Sequence, residues 1–218
     1  MFVVLEGGEG VGKTTQWQRL GAALTESGHH VVALREPGGT PAGDVLRGVL
    51  LDPLSELSAE SEALLFAASR AQLVQAVIRP ALAGDAIVLV DRFLLSTYAY
   101  QGAGRGLSLE VLQATNRFAT GGLAPDVTLL LTMPLEAALA RMNARGAADR
   151  LEREGVEFHR RVHAAFIEAA SPVWQRGHPE IGPVYPIEAS GSPDHVTARC
   201  LEQLAACCPT RFAGVLHG

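Results

Sequence analysis

A glycine-rich segment between an apolar strand and a helix constrains the fold of this chain more than any other feature. Residues Gly7 to Thr14 fit the pattern G-x-x-x-x-G-K-[ST]. An apolar run, Phe2 to Leu5, precedes them, and Trp17, Leu20 and Leu24 follow at helical spacing. Glycines let backbone N–H groups approach phosphate oxygens, and the helix adds its positive N-terminal end. The sequence therefore predicts a strand, a phosphate-binding P-loop and a helix in succession.

The cation of this segment is unusual for the chain. The sequence contains 18 lysine and arginine residues together, and Lys13 is the only lysine among them. An ammonium is a compact point charge, whereas a guanidinium is a broad planar fork. We predict that Lys13 is catalytic and reaches the β- and γ-phosphates of a nucleotide, and that Thr14 holds Mg²⁺. The predicted nucleotide-binding residues of the loop are Gly7, Gly8, Glu9, Gly10, Val11, Gly12, Lys13, Thr14 and Thr15.

The rest of the chain alternates short apolar runs with longer amphipathic stretches. Val31 to Leu34, Ile87 to Val90 and Val127 to Leu131 are apolar on both faces, and Pro183 to Ile187 is a weaker candidate. Between them lie helical patterns, the longest from about Glu56 to Leu82. Buried strands that alternate with helices predict a doubly wound α/β fold with a five-stranded parallel sheet.

Composition limits the domain organisation and the partners. A chain of 218 residues with 48% hydrophobic content suffices for one core. We expect a single domain over residues 1–208, mobile loops at 102–106 and 146–153, and a C-terminal tail at 209–218. The formal net charge of −5 disfavours a nucleic-acid groove. No apolar run is long enough to span a bilayer, and we expect no signal peptide because no basic segment comes before the first strand. Cys200, Cys207 and Cys208 are clustered and odd in number, which favours reduced thiols in a cytoplasmic protein.

Two further segments narrow the function. Residues 35–40 read R-E-P-G-G-T, and residues 91–102 read D-R-F-L-L-S-T-Y-A-Y-Q-G. The third strand is not followed by D-x-x-G, and a chain with one lysine has no N-K-x-D, so a GTPase switch is disfavoured. With the P-loop, Arg145-Gly146 and Asp149-Arg150, these segments resemble the thymidylate kinase family over about the first 200 residues. The resemblance implies a P-loop nucleoside monophosphate kinase fold, transfer of the γ-phosphoryl group of MgATP to thymidine monophosphate (dTMP), and a homodimer that pairs through helices.

Arg92 follows the third strand, where sheets of this type bind ligands. Its guanidinium is predicted to be catalytic and to fork onto the acceptor phosphate. Asp91 is predicted to serve Mg²⁺ through water or to orient Arg92. A structural salt bridge at a strand end is the alternative for this pair. The resemblance also implies that Arg47 approaches the acceptor phosphate.

Phe66 and Arg70 are four residues apart and share a helix face. On spacing alone an aromatic residue of an apolar helix belongs to the core. The resemblance implies instead that Phe66 stacks on thymine and that Arg70 meets a thymine carbonyl group. Gln101 and Thr97 would then contact the remaining edge of the base.

Glu36 and Pro37, which follow the second strand, are the residues that the resemblance places near the sugar of the acceptor nucleotide. Pro37 offers a rigid apolar wall without an N–H group, and the resemblance implies that Glu36 and Pro37 disfavour a 2′-hydroxyl. An ordinary Pro-Gly-Gly turn is the alternative. Glu9 is unusual beside phosphates, and we expect it to accept a hydrogen bond from the 3′-hydroxyl.

Residues 143–155, which we call the lid, are rich in arginine. The P-loop contains no arginine, so we expect Arg150 to stabilise the transition state. We expect Arg141 and Arg145 to bind the donor nucleotide. A solvated charged loop is the alternative. Another nucleoside monophosphate kinase and a nucleotide-binding module without transfer activity remain alternative functions.

Overall fold

Five short strands form the parallel sheet that the apolar runs predict. The computed structural model describes residues 1–146 and 149–212. The strands pair in the order β2-β3-β1-β4-β5, with every pair parallel. Their bounds are β1 Phe2–Glu6, β2 Val31–Arg35, β3 Ile87–Asp91, β4 Val127–Thr132 and β5 Val184–Glu188. The predicted doubly wound α/β fold is confirmed.

Helices cover both faces of the sheet. Alternate residues of β1 point to opposite faces: Phe2 and Val4 join one core cluster, and Val3 and Leu5 join the other. The α-helices of the described residues are α1 Lys13–Glu26, α2 Pro41–Leu51, α3 Ala59–Leu73, α4 Arg79–Ala83, α5 Leu94–Thr97, α6 Leu109–Thr120, α7 Leu135–Ala144, α8 Val156–Ala169, α9 Pro172–Gly177, α10 Pro193–Cys207 and α11 Pro209–Phe212.

The predicted long helix is present but has a different start and an interruption. Ser58 caps α3 by accepting a hydrogen bond from the backbone N–H of Ser61, so the helix begins at Ala59 rather than near Glu56. A π-helical turn, Val74–Ile78, joins α3 to α4. Pro80 lacks an N–H donor and crowds the preceding turn, which accounts for the wider turn before it.

The glycine-rich segment predicted as a mobile loop at residues 102–106 is helical as far as Gly104. Helix α5 continues into a π-helical turn, Tyr98–Gly104, in which Gly102 and Gly104 are buried. A Cβ atom at Gly104 would lie 2.6 Å from Cε2 of Phe158 in α8. This glycine permits close packing between two elements and does not indicate a flexible segment.

The segment predicted as a tail begins with a packed helix. Phe212 of α11 is fully buried, and Nη1 of Arg211 donates to Oδ1 of Asp85 at 3.0 Å. The other residues of that predicted tail, 213–218, lie outside the described residues. Cys200, Cys207 and Cys208 are free thiols. Among the described residues, no helix combines the length and apolarity that crossing a membrane requires.

Candidate active site

The P-loop connects β1 to α1 at the carboxyl end of the sheet. Gly10 has a φ of 74°, and a Cβ atom there would lie 2.0 Å from the carbonyl oxygen of Ala138, so no larger residue fits. The ammonium of Lys13 folds back over the loop and donates to the Gly8 carbonyl oxygen at 2.6 Å. The lysine is thereby held where phosphate oxygens would meet the loop.

A cavity of about 540 Å³ opens beside the P-loop. Its walls come from the P-loop, the segments that follow β2 and β3, helix α3 and the lid. It therefore brings together segments that are far apart in the sequence. The predicted site residues that line it are Glu9, Gly10, Val11, Gly12, Lys13, Thr14, Thr15, Glu36, Pro37, Arg47, Phe66, Arg70, Asp91, Arg92, Thr97, Gln101, Arg141 and Arg145.

Arg92 occupies a left-handed backbone conformation with a φ of 71°. This conformation costs energy for a residue with a side chain, so the surroundings must stabilise it. The carboxylate of Glu6, fully buried at the end of β1, does so by accepting hydrogen bonds from the backbone N–H of Phe93 at 2.8 Å and from the hydroxyl of Ser96 at 2.7 Å. The guanidinium of Arg92 donates from Nη1 to the Gly7 carbonyl oxygen at 3.0 Å. Glu6 thus aims Arg92 at the P-loop.

Glu9 of the P-loop lies near two cations, Lys13 of the same loop and Arg92 after β3. It forms an ion pair with Arg92 and accepts a hydrogen bond from the Tyr100 hydroxyl at 2.7 Å. Burial alone would raise the pKa of Glu9, but Arg92 and Lys13 outweigh burial and lower it to about 2. Glu9 is therefore a carboxylate. Burial and repulsion from Arg92 lower the pKa of Lys13 to about 8.

Thr14 at the start of α1 and Asp91 at the end of β3 offer two neighbouring oxygen ligands for a metal ion. The Thr14 hydroxyl lies 3.5 Å from Oδ2 of Asp91, and Oδ1 of Asp91 is buried without a hydrogen-bond partner. Oxygen donors and an unsatisfied carboxylate oxygen fit Mg²⁺, which usually keeps several waters and binds phosphates as well. Within the described residues, no cluster of three or more acidic, histidine or cysteine side chains would hold a metal alone.

The far end of the cavity is built around Arg70, which is almost completely buried. Its Nε donates to Oε2 of Glu36 at 2.8 Å, its Nη1 to Thr97 Oγ1 at 3.0 Å and to Asn116 Oδ1 at 2.7 Å, and its Nη2 to the Phe93 carbonyl oxygen at 3.1 Å. These contacts fix the guanidinium before any ligand binds.

Glu36 and Phe66 complete this end. Burial raises the pKa of Glu36 to about 7, although Arg70 opposes the shift. Oε1 of Glu36 is buried and unpaired, so the carboxyl group retains one free acceptor. Phe66 is half-buried: it packs against the core and also lines the cavity. The Glu36–Pro37 peptide bond is cis, and the Pro37 carbonyl oxygen accepts from Nη1 of Arg47 at 2.8 Å.

Of the arginines in the lid, Arg145 lines the cavity and Arg150 does not. Asp149 stabilises the lid turn because its Oδ1 accepts from the backbone N–H groups of Leu151 and Glu152, both at 2.9 Å. Arg145 lines the cavity and pairs with Glu152 at 2.5 Å. Arg141, which also lines the cavity, donates to the Ala189 carbonyl oxygen at 3.4 Å. Lid residues 147 and 148 lie outside the described residues.

Arg150 does not line this cavity. Its Nη2 lies 2.7 Å from Oε2 of Glu62, and its Nε donates to the Leu50 carbonyl oxygen at 2.8 Å. Its side chain borders a separate cavity with Ser58 and Arg105. A direct role for Arg150 at the P-loop therefore requires the lid to rearrange.

Sequence reasoning missed three residues that organise the site, namely Glu6, Glu62 and Tyr100. Glu6 looked like the first polar residue after an apolar strand, and Glu62 like a charge in the first turn of a helix. Tyr100 belongs to the D-R-x-x-x-S-x-x-A-Y-Q-G segment, but the motif does not predict its hydrogen bond to Glu9. The available signal was a carboxylate directly after an uninterrupted apolar strand, which must find buried donors.

Comparisons with known proteins agree with this geometry. A family model described as thymidylate kinase matches residues 5–175. The chain is 49% identical over 216 residues to the thymidylate kinase of Synechococcus sp. (strain JA-2-3B'a(2-13)), covering 98% of each protein. It is 51% identical over 176 residues to that of Deinococcus radiodurans, covering 81% of this chain and 85% of the relative. The crystal structure of thymidylate kinase from Ehrlichia chaffeensis superposes with a TM-score of 0.71 and 26% identity, covering 94% of this chain and 98% of the other. A family model that spans most of the chain, together with these identities, shows that the chain belongs to the thymidylate kinase family of nucleoside monophosphate kinases.

Proposed function

We propose that this protein transfers the γ-phosphoryl group of MgATP to dTMP, giving ADP and dTDP. The observation that carries the proposal is one cavity lined both by the P-loop and by the buried Arg70 with Phe66. Donor phosphates and an acceptor base thus have separate places in a single enclosure. An oxygen of the acceptor phosphate attacks the γ-phosphorus, and the bond to the bridging oxygen of ADP breaks.

The donor is held by the P-loop. Backbone N–H groups of the loop and the positive end of α1 bind the phosphates, and Lys13 bridges the β- and γ-groups. Thr14 and Asp91 would hold Mg²⁺, which offsets negative charge on the phosphates. Arg141 and Arg145 line the same cavity, and we assign them to the donor nucleotide.

The acceptor is held by arginines at its phosphate and by a pocket at its base. Arg92 and Arg47 bind the acceptor phosphate, and Arg92 exchanges Glu9 for phosphate oxygens. Phe66 stacks on thymine, and Arg70 donates to a thymine carbonyl oxygen in exchange for one of its present partners. Thr97 and Gln101 lie along the remaining base edge. Because phosphoryl transfer depends on positioning and charge stabilisation, these contacts contribute to catalysis by holding the acceptor in place.

The lid supplies the arginine that the P-loop lacks. We assign this role to Arg150, which exchanges Glu62 for phosphate oxygens when the lid closes. Its neighbour Asp149 already lines the cavity, so a rearranged turn at residues 149–153 would carry Arg150 inward. Closure also keeps water away from the γ-phosphoryl group until both substrates are bound.

A substrate profile tests the proposed activity. Coupled measurement of ADP release should show the highest kcat/KM with dTMP among the common nucleoside monophosphates. Release that does not depend on any acceptor would support a nucleotide-binding module without transfer activity. A better acceptor than dTMP would assign the chain to another monophosphate specificity.

The sugar is tested separately with dUMP and UMP, which differ only at the 2′ position. Pro37 as an apolar wall should favour dUMP by about 1–3 kcal/mol, roughly tenfold or more in kcat/KM, whereas the 3′-hydroxyl proposed to meet Glu9 is present in both nucleotides. Equal values for the two nucleotides would remove Pro37 from this role.

We also propose that the protein is a cytoplasmic homodimer without nucleic-acid or membrane partners. Support for the dimer comes from large apolar side chains that are exposed to solvent on two helices, α3 and α6, which pack against each other. Leu64 of α3 is 61% exposed, and Phe118 of α6 is 90% exposed. Exposed side chains of this size indicate an interaction surface when they lie on neighbouring elements.

A further inference from the structure

Glu62 is a buried carboxylate that makes no contact with either substrate in the proposed function. It lies in α3, is only 1% exposed, and does not line the cavity beside the P-loop. Its Oε1 accepts a hydrogen bond from Nε2 of Gln101 at 2.8 Å. Its Oε2 lies 2.9 Å from Nη2 of Arg105 and 2.7 Å from Nη2 of Arg150. Glu62 thus joins the base end of the cavity to two arginines.

The hydrogen bond to Glu62 determines which end of the Gln101 amide faces the cavity. An ionised carboxylate accepts hydrogen bonds and donates none, so the Gln101 nitrogen must point toward Glu62. Rotation of the amide would place two oxygens against each other in a buried site, at the cost of an unpaired polar group. Gln101 lines the cavity, and its remaining polar atom is the carbonyl oxygen, an acceptor.

Two arginines keep Glu62 ionised and oriented. Burial raises the pKa of Glu62, but hydrogen bonds from Arg105 and Gln101 more than offset burial, and the pKa lies below its usual range. Arg105 reaches both carboxylate oxygens, with its Nε 3.2 Å from Oε1 and 3.3 Å from Oε2. Arg105 lies outside the lid, and its Nη1 pairs with the lid residue Glu154 at 2.6 Å while its Nε and Nη2 contact Glu62, so Glu62 keeps a cation partner when Arg150 moves.

We propose that Glu62 is a positioning residue that selects among pyrimidine bases by fixing the Gln101 amide. The carbonyl oxygen of Gln101 accepts the N3–H of thymine or uracil. Cytosine presents an unprotonated N3, which is an acceptor and meets this oxygen unfavourably. The inference rests on the proposed function, since it concerns the base of the acceptor nucleotide.

Glu62→Gln tests the proposal by reversing the amide of Gln101. The oxygen of the substituted side chain will take the Oε2 position, because the Nη2 atoms of both arginines approach it at 2.9 and 2.7 Å, whereas only Nε of Arg105 lies near the Oε1 position, at 3.2 Å. Its NH₂ group will then face Gln101, which must rotate and present its own NH₂ group to the base. The ratio of kcat/KM for dUMP to that for dCMP should fall by roughly tenfold or more. These two nucleotides share the same sugar and lack the 5-methyl group.

Two further variants make the result specific. Glu180→Gln is the matched control, because Glu180 accepts from Tyr98 at 2.6 Å and from Gln113 at 3.2 Å but does not line the active cavity. Its dUMP-to-dCMP ratio should equal that of the wild type. In Glu62→Gln combined with Gln101→Glu, the new carboxylate accepts from the new amide and again presents an acceptor to the base, so the ratio should recover.

The wild-type enzyme gives an independent measurement if Glu62→Gln fails to fold. Protonation of cytosine N3 at lower pH creates the N3–H donor that the fixed Gln101 oxygen requires. The inhibition constant of dCMP against dTMP should therefore tighten relative to that of dUMP as the pH falls. An unchanged ratio in folded Glu62→Gln, or parallel pH profiles for both nucleotides, would overturn the role of Glu62. Absence of dTMP and dUMP turnover in the wild type would instead refute the proposed function.

Discussion

Lys13 is the only amine on a side chain of this protein, and it is 6% exposed inside the P-loop. Its ammonium contacts the Gly8 carbonyl oxygen, where the wider guanidinium fork would not fit without moving the loop. We expect Lys13→Arg to keep the fold and lower kcat by roughly a hundredfold or more. Steady-state kinetics with a thermal unfolding control measures this, and activity within a few-fold of the wild type would contradict it.

The same residue predicts a pH dependence. Because burial and Arg92 lower the pKa of Lys13 to about 8, the free enzyme carries the ammonium below that pH and loses it above. The kcat/KM for ATP, which reports on the free enzyme, should therefore fall above about pH 8. Bound phosphates favour the ammonium, so kcat should hold to higher pH. Labelling with an amine-reactive reagent measures the pKa directly when the label on Lys13 is distinguished by fragment-ion mass spectrometry from label on the Met1 α-amino group. A midpoint near that of a free lysine would refute the assignment.

At the level of elements, Gly104 allows the π-helical turn Tyr98–Gly104 to pack closely against α8. Gly104→Ala places a Cβ atom 2.6 Å from the Phe158 ring, so we expect a loss of about 1–3 kcal/mol in the free energy of unfolding. Gly48→Ala in α2 is the matched control, because no atom lies within 4 Å of its added Cβ. That change should stabilise the protein by about 0.5–1 kcal/mol. Chemical denaturation of both variants decides, and equal stabilities would exclude the contact.

The lid is the element on which the transition-state arginine depends. We expect Arg150→Ala to lower kcat at least a hundredfold with little change in nucleotide affinity, since an arginine finger contributes about 10³–10⁵ in rate. Arg145→Ala should weaken donor binding more than kcat, because Arg145 already lines the cavity. Single-turnover rates and nucleotide titrations separate the two effects. The reverse pattern would make Arg145 the transition-state residue.

Elements with a local cause could be predicted from the sequence, and contacts between distant elements could not. The strands follow from unbroken apolar runs such as Ile87 to Val90, which forms most of β3, and the P-loop follows from its spacing. The glycines near Gly104 were misassigned because a glycine for flexibility and a glycine for close packing look alike in one sequence. The buried pairing of Glu62 with Gln101 and Arg150 joins residues far apart in the chain. Such partners become known only once the sheet brings α3, the segment after β3 and the lid together.

At the scale of the whole molecule, the proposed dimer makes a prediction about one exposed aromatic side chain. We expect Phe118→Asp to shift sedimentation from dimer to monomer at micromolar concentration, because an interface core does not accommodate an unpaired carboxylate. Val173→Asp on α9 is the control, since Val173 is also well exposed but lies on another helix. A wild-type protein that sediments only as a monomer would refute the dimer.

Three of the six arginines that line the cavity already have carboxylate partners: Arg92 pairs with Glu9, Arg70 with Glu36, and Arg145 with Glu152. Each of these three cations is therefore largely neutralised at a distance, and the chain as a whole carries a formal charge of −5. Nucleotides, themselves anions, gain little from long-range electrostatic steering toward such a surface. Their encounter with the enzyme is governed by diffusion and by the local exchange of carboxylate for phosphate at each arginine. Added salt should consequently affect the association rate far less than it does for proteins whose binding clefts are openly cationic.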